Sequence, residues 1–164
     1  MVIRRHRAGE LVIEQTRDIA AVRAFLNAGG MITEGVDWPA ACYLIAFFGD
    51  APVGVIGVEP KIDAALIRSL HVIEAMRRQG IAAKLVADAR KAAHTRGART
   101  LYLFAYPELR GFFERLGFSE VASERVMSAL RGAPEVEYYR AQPDELAREC
   151  AMALDISKDG LIAR

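Results

Sequence analysis

Apolar positions change period several times along the chain, and each change marks an element. Leu11-Val12-Ile13 is a short apolar run that predicts a first strand. Thr16 offers a hydroxyl to cap a helix, and Ile19, Val22, Phe25 and Leu26 then recur on one helical face. Gly29-Gly30 ends that helix, and Met31–Ala41 carries no clear period. Cys42–Phe48 is continuously apolar or aromatic, Gly49-Asp50 turns, and Pro52–Val58 returns. A proline at the first position of a strand forfeits the least hydrogen bonding. After a turn at Glu59–Asp63, Ala64–Ile73 is a third long strand. These three runs predict an antiparallel meander.

The period then lengthens. Gly80–Arg96 places Ile81, Leu85, Val86, Ala89 and Ala93 on one face and stops at Gly97, a good residue just past a helix end. Thr100–Tyr106 reads as a strand. Pro107 suits the first turn of a helix, and Leu109, Phe112, Phe113 and Leu116 follow at i, i+3, i+4 and i+7, up to Gly117. Phe118–Ala122 is a strand, Ser123–Pro143 has no assignable pattern, and Cys150, Met152, Leu154 and Ile156 alternate as a last strand. The order β-α-β-β-β-α-β-α-β, then a closing strand, predicts an α+β fold with a mixed sheet.

Composition narrows the functional classes. A chain of 164 residues suits one domain, so residues 1–164 are taken as a single unit. The apolar fraction of 52% is ample for one core. The balance of 22 basic against 21 acidic residues leaves no footprint for nucleic acid or a membrane surface. The basic start Arg4-Arg5-His6-Arg7 reads as a solvated terminus. The longest apolar stretch, Ala40–Phe48, is far below the ~18–20 residues a membrane helix needs. No apolar leader pattern is visible at the start, so a cytoplasmic location is expected. Cys42 and Cys150 are far apart and lack metal-binding spacing, so no metal is expected. Two buried thiols in a reducing compartment, or one bridge between them, both remain open.

Candidate chemistry centres on Leu70–Ala82, where a strand runs through a charged loop into a helix. Helix N-termini carry unpaired N–H groups and partial positive charge, a natural seat for pyrophosphate. Gly80 and Ala82 leave room for phosphate to approach the backbone, and Arg77, Arg78 and Lys84 add charge. An ordinary strand-to-helix connection has the same composition, and neither G-x-G-x-x-G nor a P-loop is present.

The spacing adds more. Arg77-x-x-Gly80-x-Ala82, five residues after Val72, resembles the R/Q-x-x-G-x-G/A motif of the Gcn5-related N-acetyltransferases (GNAT). Phe112-Phe113-Glu114-Arg115-Leu116-Gly117-Phe118 resembles the F-Y-E-K-L-G-F signature of the same family. The resemblance runs from Leu11 to about Phe118 and is looser beyond. It implies a central, mostly antiparallel sheet of six to seven strands flanked by helices. It implies that the fourth and fifth strands splay and that the pantetheine of acetyl-CoA lies between them like a strand.

Cofactor contacts are then expected at Leu70, His71, Val72, Arg77, Arg78, Gln79, Gly80, Ile81, Ala82, Lys84 and Phe113. A main-chain N–H near Leu70 would polarise the acetyl carbonyl. The acceptor, a small amino-acid-like primary amine, would attack directly. A protein or peptide acceptor, and a catalytically weak acetyl-CoA sensor, are the alternatives, and a homodimer is kept open.

The chain departs from the family pattern at the proton-transfer positions. Phe113 stands where the family places a Tyr as general acid, and Leu66 falls near the position where some members carry a carboxylate base. Tyr106 is the nearest substitute acid; a solvated Tyr at a strand end is the plainer reading. Arg68, read with strict alternation, shares the cleft face with Leu66, Leu70 and Val72, and His71 falls opposite. A mid-strand Arg needs an anion: Glu59, Asp63 or another acid of the chain, or a carboxylate on the acceptor.

A narrower resemblance rests on Leu66–Leu70, Arg99–Leu103 and Glu149-Cys150-Ala151-Met152. These look like acetyltransferases encoded with arsenic-resistance genes and, for the first two, like the acetyltransferase domain of N-acetylglutamate synthases. Those groups tend to carry Thr-Thr where this chain has Ala105-Tyr106.

Overall fold

The structure is a computed structural model, and it describes residues 6–160. Arg4 and Arg5 of the basic start lie outside the described residues. His6 is held against the sheet: its Nε2 lies 3.0 Å from Glu14 Oε1 and its Nδ1 3.0 Å from Gly49 O.

Strand β1 (Leu11–Thr16) leads into helix α1 (Ile19–Ala28). The cap is Asp18, whose carboxylate accepts the Ala21 N–H at 3.0 Å, whereas Thr16 Oγ1 accepts the Asp18 N–H. The expected Thr16 cap is therefore displaced by two residues, because a carboxylate beside the first turn satisfies the orphan N–H directly. Strands β2 (Cys42–Phe48), β3 (Ala51–Pro60) and β4 (Ala64–Val72) form the expected meander. A 3-10 turn over Glu74–Met76 precedes helix α2 (Ile81–Thr95), and strand β5 (Thr100–Ala105) follows. A second 3-10 turn at Pro107–Leu109 enters helix α3 (Arg110–Arg115), which is followed by strand β6 (Ser119–Val121). The segment without sequence pattern contains three short helices, α4 (Ser123–Ala129), α5 (Pro134–Ala141) and α6 (Pro143–Leu146). Strand β7 (Cys150–Asp155) closes the order.

The seven strands run β1-β2-β3-β4-β5-β7-β6, all antiparallel except the β4–β5 pair. This is the mixed α+β sheet expected from the element order. On one face, Leu85, Val86, Ala89 and Ala93 of α2 pack against Leu44, Ile56, Ile67, Leu101 and Met152. On the other, Val22 and Leu26 of α1 cover Tyr43, Ile45 and Val55, and residues of α4 and α5 cover Leu66 and Tyr102. Cys42 and Cys150 are both free and buried in the α2-side core, which decides between thiols and a bridge. No helix among the described residues is long and apolar enough to cross a membrane.

Two features of β4 position the site. First, β4 and β5 pair only over Ala64–Leu66 and Thr100–Tyr102, and beyond these residues they share no ladder. Second, β4 carries a bulge. Gly57 pairs with Arg68 and Val55 with His71, so Ser69 and Leu70 together stand opposite Ile56. Ser69 absorbs the extra residue with φ at 59°, a left-handed conformation that is uncommon for a residue bearing Cβ.

The bulge overturns the strict alternation used above. Arg68 does share a face with Leu66, but His71 joins that face and Leu70 and Val72 cross to the α2 side. His71 points at α1, its ring centroid 5.7 Å from that of Phe25. One inserted residue reverses the face of everything after it, as period 2 requires.

Ser69→Val should therefore destabilise the fold by about 1–2 kcal/mol, the cost of a left-handed residue, increased by β-branching. Ser69→Gly should cost less, although it loses the hydroxyl that accepts the Arg68 Nε–H at 3.0 Å. Urea unfolding of the two variants beside the wild type checks this order; a Gly variant weaker than the Val variant would contradict it.

Candidate functional site

The parting of β4 and β5 opens a cavity of about 280 Å³ that spans both sheet faces. Its α2-side wall is Leu70, Leu103, Leu109 and Phe113. Its opposite wall is Arg68, Phe104, Glu135, Tyr139 and Glu149, with Met31 and Ile32 from the loop after α1. Leu70, Phe113, Tyr106 and Arg68, singled out from sequence, are thus brought together.

Phe113 is buried, with its ring centroid 5.0 Å from that of Phe112 and 5.7 Å from that of Phe118, both near edge-on. It presents an apolar edge to the cavity and no ionisable group. Tyr106 stands at the cavity mouth and is 57% exposed. Leu109, 47% exposed, stands beside it in the lining.

The charged loop leaves the cavity along β4. Arg77 Nε donates to Val72 O at 3.0 Å, tying the loop to the end of the strand. Arg78, Gln79 and Lys84 are exposed. Arg78 has φ at 63° and Gly80 has φ at 79°, two left-handed turns that deliver the chain into α2. Gly80 caps α2 without any side-chain hydrogen bond, and nothing stands within 4 Å of where its Cβ would be. The helix N-terminus is thus open and its amides are free of a side-chain cap. Ile81 is buried in the core, while Ala82 packs against its margin. His71 and Val72 end the strand that leads there, the first facing α1 and the second the α2-side core; burial, with Arg77 nearby, lowers the His71 pKa, which favours the neutral ring.

Arg68 is 4% exposed, and its anions come from the chain itself. Its Nη1 donates to Glu59 Oε2 at 2.9 Å and to Glu34 O at 2.8 Å, and its Nε lies 4.0 Å from Glu135 Oε1. Glu59 is fully buried. Its other oxygen accepts the Glu135 N–H at 3.0 Å, so this carboxylate ties β3 to the start of α5. Gly57 makes room for the arrangement: a Cβ there would lie 2.6 Å from Tyr43 Cε1 and 3.2 Å from Arg68 Cγ. Of the anions foreseen for Arg68, Glu59 is the one the structure supplies; Asp63 is exposed at the strand turn.

Two acids and a phenol of this wall escaped the sequence reading. Glu135 and Tyr139 lie one helical turn apart on α5, and Glu149 directly precedes β7. Tyr139 Oη donates to Glu149 Oε1 at 2.6 Å, and the Tyr139 ring sits edge-on to Phe104 at 5.0 Å. Burial pushes the Glu135 carboxyl up to about 8; Arg68 opposes the rise, and Glu59 and Glu149 add to it. The available signal was Pro134 at a helix start followed by Val136 and Tyr139 at i, i+3.

Residues 18–134 match the acetyltransferase (GNAT) domain family. The chain belongs to the GNAT acetyltransferases. It is accordingly an acetyl-CoA-dependent N-acetyltransferase. No curated protein matches the acetyltransferase significantly. Among solved structures it is similar in fold to a Mycobacterium tuberculosis protein in complex with CoA and a second ligand. That match has a TM-score of 0.67 at 18% identity, covering 88% of this chain and 99% of the other. N-acetylglutamate synthase from Neisseria gonorrhoeae, complexed with coenzyme A and N-acetyl-glutamate, aligns at TM-score 0.65 and 16% identity. There the match covers 92% of this chain but 36% of that one. An aminoglycoside 6'-N-acetyltransferase complexed with coenzyme A aligns at TM-score 0.61 and 16% identity, covering 88% and 97%. Among the described residues of the acetyltransferase, no cluster of three or more His, Cys, Asp or Glu could hold a metal ion.

Two outcomes test the buried charge. Arg68→Met should cost about 3–5 kcal/mol of stability, because it strands the Glu59 carboxylate without its cation. Adding Glu59→Gln should recover part of that loss in urea unfolding. The second concerns pH. A carboxyl whose pKa rises from the ordinary 4.5 to about 8 on folding stabilises the protein fully at low pH. That contribution is lost as pH rises through the window between the two values. Between about pH 5 and pH 8.5 the melting temperature of the wild type should fall relative to that of Glu135→Gln. Parallel melting curves for the two proteins would show that Glu135 does not titrate in that range.

Proposed function

We propose that the acetyltransferase moves the acetyl group of acetyl-CoA to the primary amine of a small molecule by direct attack. The observation that carries this reading is the cavity between β4 and β5, which ends at Leu70 on the strand that leads to the open N-terminus of α2. In the proposal, pantetheine lies along Leu70, His71 and Val72 and completes the gap left where β4 and β5 stop pairing. The pyrophosphate sits over Gly80, Ile81 and Ala82, where uncapped amides and the helix dipole favour an anion. Arg77, Arg78, Gln79 and Lys84 surround that end.

The acetyl carbonyl lies beside the bulge, where a main-chain N–H near Leu70 is the proposed oxyanion donor. Phe113 supplies apolar contact to the thioester end. Tyr106 is the proposed proton donor to the departing sulfur, since it stands at the mouth of the cavity and carries an exposed phenol.

The closed acceptor side supports a small molecule over a peptide. Met31, Ile32, Glu135 and Tyr139 wall it off, and the cavity of about 280 Å³ is below the usual range for a drug-sized ligand. The idea of an amino-acid-like acceptor rested on an Arg68 free to bind a carboxylate. With Glu59 and Glu135 beside that guanidinium, the proposal is limited to a small primary amine. The homodimer kept open from sequence is checked separately by light scattering.

Gly80→Glu should abolish acetyl-CoA binding in calorimetry, by bulk and by like charge at the phosphate seat. Gly80→Asn, which tolerates the left-handed backbone and adds no charge, should retain more affinity. Wild-type affinity in the Glu variant would place the phosphates elsewhere.

A further inference from the structure

We propose that Glu149, oriented by Tyr139, takes the proton of the acceptor's ammonium group. The inference rests on the acetyl-transfer reading above and supplies what that reading lacks. An amine arrives protonated at neutral pH and must lose a proton before its nitrogen can attack. Neither Phe113 nor Leu66, at the positions where the family's acid and base were expected, can accept one.

Geometry selects Glu149 among the acids of the wall. Its neighbour Cys150 pairs with Ala105, the last residue of β5, and Cys150 Sγ donates to Ala105 O at 3.2 Å. Glu149 is therefore fixed at the point where β5 ends and the gap from β4 is open. Glu59 and Glu135 share the charge of Arg68. Glu149 pairs with no Lys, Arg or His among the described residues, and its carboxylate accepts its hydrogen bond from Tyr139. A carboxylate in a half-buried wall without a cation is a ready partner for an incoming ammonium. Tyr139 holds one oxygen, and the other has no hydrogen-bond partner among the described residues.

Burial also raises the Glu149 carboxyl above the ordinary carboxylate range, with the Tyr139 hydroxyl opposing and Glu145 adding to the rise. The higher basicity suits proton acceptance. The titratable and charged groups around it are Glu135 and Tyr139 on α5, Glu145 on α6, Tyr106 after β5 and Arg68 on β4.

The proton balance is simple. The ammonium gives one proton to the Glu149 carboxylate. The freed lone pair attacks the thioester carbon, a C–N bond forms and the C–S bond breaks. The second nitrogen proton replaces the one that Tyr106 gives to the leaving sulfur, so CoA departs as a thiol. Glu149 then releases its proton to water.

The test measures CoA thiol release across pH with the best amine from a panel and with a fluorinated analogue of the same amine, which is largely unprotonated at assay pH. Glu149→Gln should lower kcat/KM for the basic amine about 10²–10⁴-fold. The loss should be much smaller for the fluorinated amine, and acetyl-CoA affinity by calorimetry should hold. Tyr139→Phe removes the hydrogen bond that stabilises the carboxylate, so the acid limb of its pH profile should move up by about one unit. That limb also decides the matter if Glu149→Gln fails to fold. Equal losses on both amines, or an unmoved limb in Tyr139→Phe, would overturn the assignment. Loss of the acid limb in Glu135→Gln rather than in Glu149→Gln would overturn it in favour of Glu135. A wild type that binds acetyl-CoA but acetylates no amine would sink the transfer reading and the relay with it.

Discussion

Strand β4 satisfies two neighbours over its first three residues and one neighbour over the rest. A central strand rarely leaves one edge without a partner, because unpaired backbone N–H and C=O groups inside a protein are costly. The fold tolerates it here because β3 holds the other edge through to Val72 and because Arg77 accepts the duty of closing off the Val72 carbonyl. The bulge at Ser69 and Leu70 bends the strand away from β5 and turns its side chains over. The cavity, and with it the proposed oxyanion position and acceptor wall, descends from that one departure from regular pairing.

The buried charge cluster secures the same departure from behind. Arg68 bridges to Glu59 on β3, to the backbone at Glu34, and toward Glu135 on α5. A buried pair of this kind adds little net stability compared with apolar packing, but it fixes which elements meet. Here it locks the loop after α1 and the start of α5 to the strand just before the bulge. The acceptor wall is thereby built from segments more than sixty residues apart, and its acids are held at stated places rather than left mobile.

The two halves of the site differ in kind. The cofactor half is backbone and space: a left-handed glycine, a helix start and an apolar Phe edge. Such a half serves one ligand and depends on few side chains. The acceptor half is side chains: Arg68, Glu135, Tyr139 and Glu149. Fold similarity at 16–18% identity speaks to the fold alone and leaves the acceptor to this chain's own residues.

Local pattern alone determined much of this protein. The strands from Cys42 to Val72, the helix from Ile81, and the turn residues Gly30, Gly80, Gly97 and Gly117 were legible, because burial on one face imposes its period on the sequence and a left-handed turn calls for glycine. The spacing from Arg77 to Ala82 marked the loop proposed above as the phosphate seat for the same local reason. Tertiary structure decided the rest. The bulge at Ser69 is invisible to a period-2 reading, since a Ser is no stronger a signal there than elsewhere, and it exchanged the faces taken by Leu70 and His71. The partner of Arg68 came from a strand nine residues earlier and a helix sixty-seven residues later. The pairing of Tyr139 with Glu149 joins a helix too short to show its period to a residue outside the last strand. Contacts between distant segments leave no periodic trace along the chain, because their spacing is set by how the elements pack and not by the repeat of any one of them.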